Sequence, residues 1–207
     1  MSNLDISIID PPPPQRRLML EALRTVRKPR PEGEPVLPSQ VLVRPVVELD
    51  AKAIGAYAQV CGFRPEQGVP LTYPHMLAFP LHMMLLSARD FPYPAVGMVH
   101  LANRIVQHRR LDAGQALRVE VHCARWASHP KGQALVVATV AKGGGSVVWE
   151  SESTYLSRGD GAAVGEAIAE EPAPDLQKLV QIQRWQFGAD LGPRYAKVSG
   201  DHNPIHT

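Results

Sequence analysis

Residues 96–157 hold four strand-like runs, 96–110, 116–126, 134–142 and 146–157, separated only by short segments of turn chemistry: Asp112-Ala-Gly114, Ser128-His-Pro-Lys-Gly132 and Gly143-Gly-Gly145. Strands joined so tightly pair antiparallel, because a parallel crossover needs a dozen or more residues. Ahead of them, Met76, Leu77, Leu81, Met84 and Leu85 recur at helical spacing in Tyr73–Ser87, with Pro74 at the start. Pro80 is expected to kink or split that helix. Residues 36–49 read as a strand and 51–60 as a short helix with Asp50 at its N-cap. A strand, then a helix, then a series of long antiparallel strands is the order of one curved sheet wrapped around one central helix. The fold class is therefore α+β, with residues 36–157 as the wrapped unit.

The flanks read differently. Residues 1–35 are rich in proline and form an N-terminal arm, in which Leu18, Leu20 and Leu23 suggest a short helix. Its basic residues Arg24, Arg27, Lys28 and Arg30 suit phosphate, although a solvated helix face is the more ordinary reading. Residues 158–182 carry Gly, Ala, Glu and Pro with little periodicity and read as a linker. After it, Trp185 and Phe187 alternate in 183–191 as in a short strand, and 192–199 reads as a helix.

Composition narrows the function classes. With 44% hydrophobic and 20% charged residues the chain can bury a core. A net charge of +2, from 22 basic and 20 acidic side chains, gives no global field for nucleic acid. Two cysteines, Cys61 and Cys123, are too few for a disulfide framework and are expected to be reduced core residues. No segment approaches the roughly 18 apolar residues of a membrane span, so the expected setting is cytoplasmic, with no membrane partner.

The densest chemistry lies at the end of the sequence, in Tyr195-Ala-Lys-Val-Ser-Gly-Asp-His-Asn-Pro-Ile-His-Thr207. Ser199, Gly200, Asp201, Asn203 and Pro204 are all turn formers, which places Asp201 in a tight loop. Pro204 suits the first turn of a new helix with Asn203 as its N-cap, and His206 can then fold back toward Asp201. A carboxylate and an imidazole sharing one water can supply both the base and the acid of a hydration. Ser199 lacks a nucleophile-elbow context and reads as a loop hydrogen-bonder, and His202 is expected to face solvent. An Asp and a His at this spacing would carry little weight alone.

From Tyr195 to His206 the string resembles, without departure, the signature Tyr-Ala-x-x-Ser-Gly-Asp-x-Asn-Pro-Ile-His of the MaoC-like dehydratases and R-specific enoyl-CoA hydratases. The stretch Pro74-His-Met-Leu-Ala-Phe-Pro-Leu-His82 also looks like the start of a central helix in that family, and Val99 to His108 like the strand that follows. The resemblance implies a double hot-dog fold: a non-catalytic hot-dog over 36–157, the linker, and the start of the catalytic hot-dog over 183–207. It implies a hydro-lyase that reversibly hydrates trans-2-enoyl thioesters, or dehydrates (R)-3-hydroxyacyl thioesters, with Asp201 and His206 as the dyad and Asn203, Ser199 and Gly200 in support. No metal or redox cofactor is implied, since coenzyme A or a carrier protein belongs to the substrate. A homodimer is the assembly considered. Because that fold needs a second central helix and more strands after the motif histidine, residues 1–207 by themselves are expected to lack hydratase activity.

Other candidates are weaker. Arg104, His108, Arg109 and Arg110 could meet the phosphates of coenzyme A, although a basic strand edge that discourages aggregation accounts for them as well. Met76, Met83, Met84 and Phe79 could line an acyl tunnel or simply fill the core. His75, His82, His100, His108, His122 and His129 contain no His-x-x-x-His pair and suggest no zinc site. The alternative from another class is a non-catalytic hot-dog subunit that binds acyl thioester or serves in assembly.

Overall fold

The computed structural model describes residues 5–159, 163–168 and 184–201. Its elements run β1 (Asp5–Ile8), α1 (Gln15–Arg24), β2 (Gln40–Glu48), α2 (Ala51–Cys61), α3 (Tyr73–Ser87), β3 (Val99–Gln107), β4 (Ala116–His129), β5 (Gly132–Gly143), β6 (Ser146–Arg158), β7 (Glu166–Ala167) and α4 (Leu191–Ser199). The described strands form one sheet in the order β1-β2-β4-β5-β6-β3, with β7 added beside β4. Every pairing among β2 to β6 is antiparallel, whereas β1 and β7 join in parallel. No described helix is long and apolar enough to cross a membrane.

The sheet curls around α3 because period-two alternation supplies it with one apolar face. Along β4, Leu117, Val119, Val121 and Cys123 point inward, and along β6 so do Trp149, Ser151, Ser153 and Tyr155. The helix is apolar around most of its circumference, as one covered on several sides must be. Ala78, Leu81 and Leu85 are buried in the common core, and α1 packs across another side of α3. This is the hot-dog arrangement expected from the strand and helix order.

Turn chemistry explains the tight hairpins. Gly144 and Gly145 both sit at positive φ, 60° and 82°, as a two-residue turn that follows the strand twist requires. The β4–β5 hairpin is tighter than the sequence suggested, since His129 already pairs with Gly132. In β2, Pro45 is tolerated because the register shifts between Arg44 and Val47, a bulge where the missing donor is harmless. Asp50 caps α2 by accepting from the Ala53 N–H at 2.7 Å.

Several expectations change. Pro80 does not split α3, which runs unbroken from Tyr73 to Ser87, and the Arg44 guanidinium donates to the Leu77 carbonyl at 2.9 Å in the turn before the proline. Residues 184–190 form no strand, and Trp185 and Phe187 are 66% and 68% exposed: alternation without a pairing neighbour leaves them outside the sheet. Cys123 is buried as expected, but Cys61, at the last turn of α2, is exposed. In α1 only Leu18 of the three leucines is buried.

The proline-rich arm contributes more than a peripheral helix. Residues Asp5–Ile8 extend the sheet, and the Lys28 ammonium donates to the Ala88, Arg89 and Phe91 carbonyls at 2.9, 3.2 and 2.5 Å. Those carbonyls follow the C-terminus of α3, where a cation is favoured. Lys28→Met is expected to lower stability by about 1–3 kcal/mol, the range for a charged hydrogen-bonding group removed from partly buried acceptors. Urea denaturation measures it, and a change under a few tenths of a kcal/mol would show that the clamp contributes nothing. Within 158–182, the side-chain amide of buried Gln133 donates to the Val164 carbonyl at 2.9 Å and accepts from the Val164 N–H at 2.8 Å. This pair leads residues 163–168 onto β4 as β7.

Candidate active site

Helix α4 delivers Asp201. The helix stops because Gly200 takes a left-handed conformation, φ 73°, at its C-cap. The Ser199 hydroxyl donates to the Tyr195 carbonyl at 2.8 Å and accepts from the Asp201 N–H at 3.0 Å, so it ties the helix end to the loop as expected. The backbone of Asp201 is thereby held from the helix side. Tyr195 anchors α4 to α3 and α2: its hydroxyl donates to the Met76 sulfur at 3.6 Å, and its ring lies 6.3 Å from that of Tyr57.

Met76 stands in the first turn of α3 beside His75, and this docking brings Asp201 to a cluster of aromatic and imidazole rings. The carboxylate acts electrostatically on His75, His100, Tyr155 and Tyr195. His82, fully buried, is hydrogen-bonded to the Tyr155 hydroxyl at 3.0 Å through Nδ1 and to Thr139 Oγ1 at 2.8 Å through Nε2. His100, at the start of edge strand β3, is exposed on one side and stacks on Tyr155 at 4.6 Å. His75 lies between the other two imidazoles, 5.2 Å from His82 and 5.6 Å from His100.

Burial governs the charge of all three. Desolvation, then the neighbouring His100, pulls His75 down to about 4, while Asp201 acts the other way without prevailing. His82 is driven well below the ordinary histidine range by burial and by the two other imidazoles. Desolvation also lowers His100, against the Ala102 backbone and Asp201. His75 and His82 are therefore neutral at neutral pH. They can donate or accept a hydrogen bond without bringing a positive charge.

The sequence-predicted residues divide into three groups. Ser199, Gly200 and Asp201 lie at the C-terminal end of α4. Asn203, His206 and His202 lie outside the described residues. Arg104 lies farther along the exposed edge strand β3 than His100, and His108, Arg109 and Arg110 lie just beyond its end at Gln107. There His108 contacts Glu150 at 3.0 Å, Arg109 donates to the Gly143 carbonyl at 3.4 Å, and Arg110 pairs with Asp112 at 2.9 Å. Arg104 stands opposite Glu152 in register. Met76, Phe79, Met83 and Met84 are partly buried on α3. No set of three or more His, Cys, Asp or Glu side chains among the described residues has the geometry to hold a metal ion.

The imidazole cluster was missed in the sequence because only half of it has a local signal. His75 and His82 are seven residues apart, two turns of one helix, and so share a face. Nothing local links them to His100 on β3 or Tyr155 on β6.

No protein-family model matches the chain. Over 175 residues, 83% of this chain and 61% of the relative, it is 34% identical to 3-hydroxyacyl-thioester dehydratase X of Mycobacterium tuberculosis. The crystal structure of HtdX from the same organism superposes with a TM-score of 0.65 at 32% identity, covering 81% of this chain and 64% of that one. A MaoC-like dehydratase from Phytophthora capsici shares the fold at a TM-score of 0.56 and 16% identity, over 83% of this chain and 65% of that one. The chain thus spans less than two thirds of the length of these relatives.

Proposed function

We propose that this chain, a relative of the MaoC-like hot-dog dehydratases, comes from a hydro-lyase that adds water reversibly across the double bond of a trans-2-enoyl thioester. The reverse reaction dehydrates an (R)-3-hydroxyacyl thioester. The observation that carries the reading is the unbroken string from Tyr195 to His206, together with the placement of its aspartate at the end of α4 against the first hot-dog.

In this reading Asp201 and His206 share the attacking water. One takes a proton as the water oxygen bonds to Cβ, and the double-bond electron pair moves into the thioester as an enolate. The other returns a proton to Cα. The enolate oxygen needs hydrogen-bond donors fixed in advance. Asn203 orients the loop that carries the dyad, and Ser199 and Gly200 hold its entry. Arg104, His108, Arg109 and Arg110 form the candidate phosphate contact for coenzyme A or a carrier arm. Residues 36–157 are the non-catalytic hot-dog, 158–182 the linker and 183–207 the opening of the catalytic unit, with 1–35 as the arm. Proton transfer between water, dyad and substrate needs no redox cofactor or metal. A cytoplasmic homodimer is the setting that suits an acyl-thioester substrate.

Incubating the purified parent protein, rather than residues 1–207 alone, with trans-2-enoyl-CoA tests the reading. Loss of the enoyl absorbance with formation of 3-hydroxyacyl-CoA supports it. Release of free coenzyme A would instead make the protein a thioesterase, and binding without turnover would make it a non-catalytic subunit.

A further inference from the structure

The dyad chemistry leaves unexplained why the first hot-dog buries imidazoles within electrostatic reach of Asp201. Tyr155, His100, His75 and His82 close into a ring of rings, with successive centroids 4.6, 5.6, 5.2 and 5.9 Å apart. His82 is accounted for structurally, because both its nitrogens are hydrogen-bonded to Tyr155 and Thr139. His75 is not. It is only 5% exposed, and its Nδ1 is buried with no hydrogen-bond partner among the described residues. A leucine would fill that place without leaving a polar atom unsatisfied. A buried imidazole nitrogen kept in such a position calls for a group that the resting fold does not supply.

Asp201 acts electrostatically on both His75 and His100. Tyr195, which caps Ser199 through its carbonyl, bonds to Met76, the neighbour of His75. The groups around His75 and His100 come from several elements: Asp201 at the end of α4 acts on both, His100 acts on His75, the Ala102 backbone on His100, Tyr155 of β6 stacks on His100, and His82 of α3 packs edge-on against His75. We propose that His75 and His100 are positioning residues for Asp201, so that the imidazole face of the first hot-dog holds the carboxylate at the end of α4. This rests on the hydro-lyase reading for its effect on turnover, but not for the contact itself. Neutral imidazoles suit the task, since they can hydrogen-bond a carboxylate, a water or a substrate atom without fixing a cation beside the dyad.

Two measurements on the purified parent protein separate the contact from the activity. In the first, histidine titrations are followed by NMR in the wild type and in Asp201→Asn. Removing the carboxylate removes a charge that raises His75 and His100, so His100 should titrate at lower pH in the variant. An unchanged midpoint would overturn the proposal whether or not the protein is a hydratase. In the second, kcat/KM is measured for His75→Leu and His75→Asn. Leucine keeps the packing and removes the polar ring, and it should lower kcat/KM on the order of tenfold to a hundredfold, mainly through kcat, with an undiminished melting temperature. Asparagine keeps a donor and should recover part of the loss. Unchanged turnover in His75→Leu, or equal losses in both variants together with a lower melting temperature, would assign His75 to packing alone. A wild type without turnover would reject the hydro-lyase reading and leave the titration to decide the contact.

Discussion

Asp201→Asn is expected to lower kcat for enoyl-thioester hydration by about a hundredfold to ten-thousandfold, the usual effect of losing a positioned proton-transfer group. The amide keeps the shape of the carboxylate and cannot accept the proton of water. Folding should change little, because the loop is held by the Gly200 C-cap and by the hydrogen bond from the Asp201 N–H to Ser199, neither of which uses the carboxylate. His206→Ala should give a loss of the same order, and the double variant little more than either alone, since two residues that act as a unit do not add. Steady-state kinetics beside a thermal melt is the check. Near-normal turnover in Asp201→Asn would remove Asp201 from the reaction, and multiplicative losses would separate the two residues into independent roles.

The largest effect on stability is expected at Trp149. Its side chain is fully buried on the inner face of β6, and its indole N–H donates to the Leu71 carbonyl at 2.8 Å, just ahead of α3. Trp149→Ala should lower stability by about 3–5 kcal/mol, because it leaves a cavity that a close-packed core only partly closes. Trp149→Phe keeps much of the volume but leaves the Leu71 carbonyl without its donor, and should give a smaller loss of about 1–3 kcal/mol. In urea, the midpoint should fall with the slope unchanged. A loss under about 1 kcal/mol for the alanine variant would mean that the β6–α3 seam is not part of the core.

The central helix and the four strands around it were legible in the sequence because each carries its own period, and because Gly144, Gly145 and Asp50 have few other uses. What was not legible depends on distant partners. Four residues, Asp5–Ile8, carry no strand signal by themselves and become β1 only because β2 offers an edge. Lys28 looked like one more solvated cation until the turn after α3 placed three carbonyls around it. Trp185 and Phe187 alternate like strand residues, but alternation records only a pattern and not the presence of a neighbour to pair with. Asp201 could be picked out from the turn formers beside it and the motif around it. The imidazoles facing it could not, since His75, His100 and Tyr155 meet only when α3, β3 and β6 are assembled.

The most direct test of the hydro-lyase reading is the configuration of the product. The purified parent protein, rather than residues 1–207 alone, is incubated with trans-2-enoyl-CoA in deuterated water, and the 3-hydroxyacyl thioester is resolved by chiral chromatography and mass. The account predicts a single enantiomer, (R)-3-hydroxyacyl-CoA, carrying one deuterium at Cα, with formation abolished to near background in Asp201→Asn. An (S) or racemic product, a product formed equally by Asp201→Asn, or no product from the wild type would contradict it.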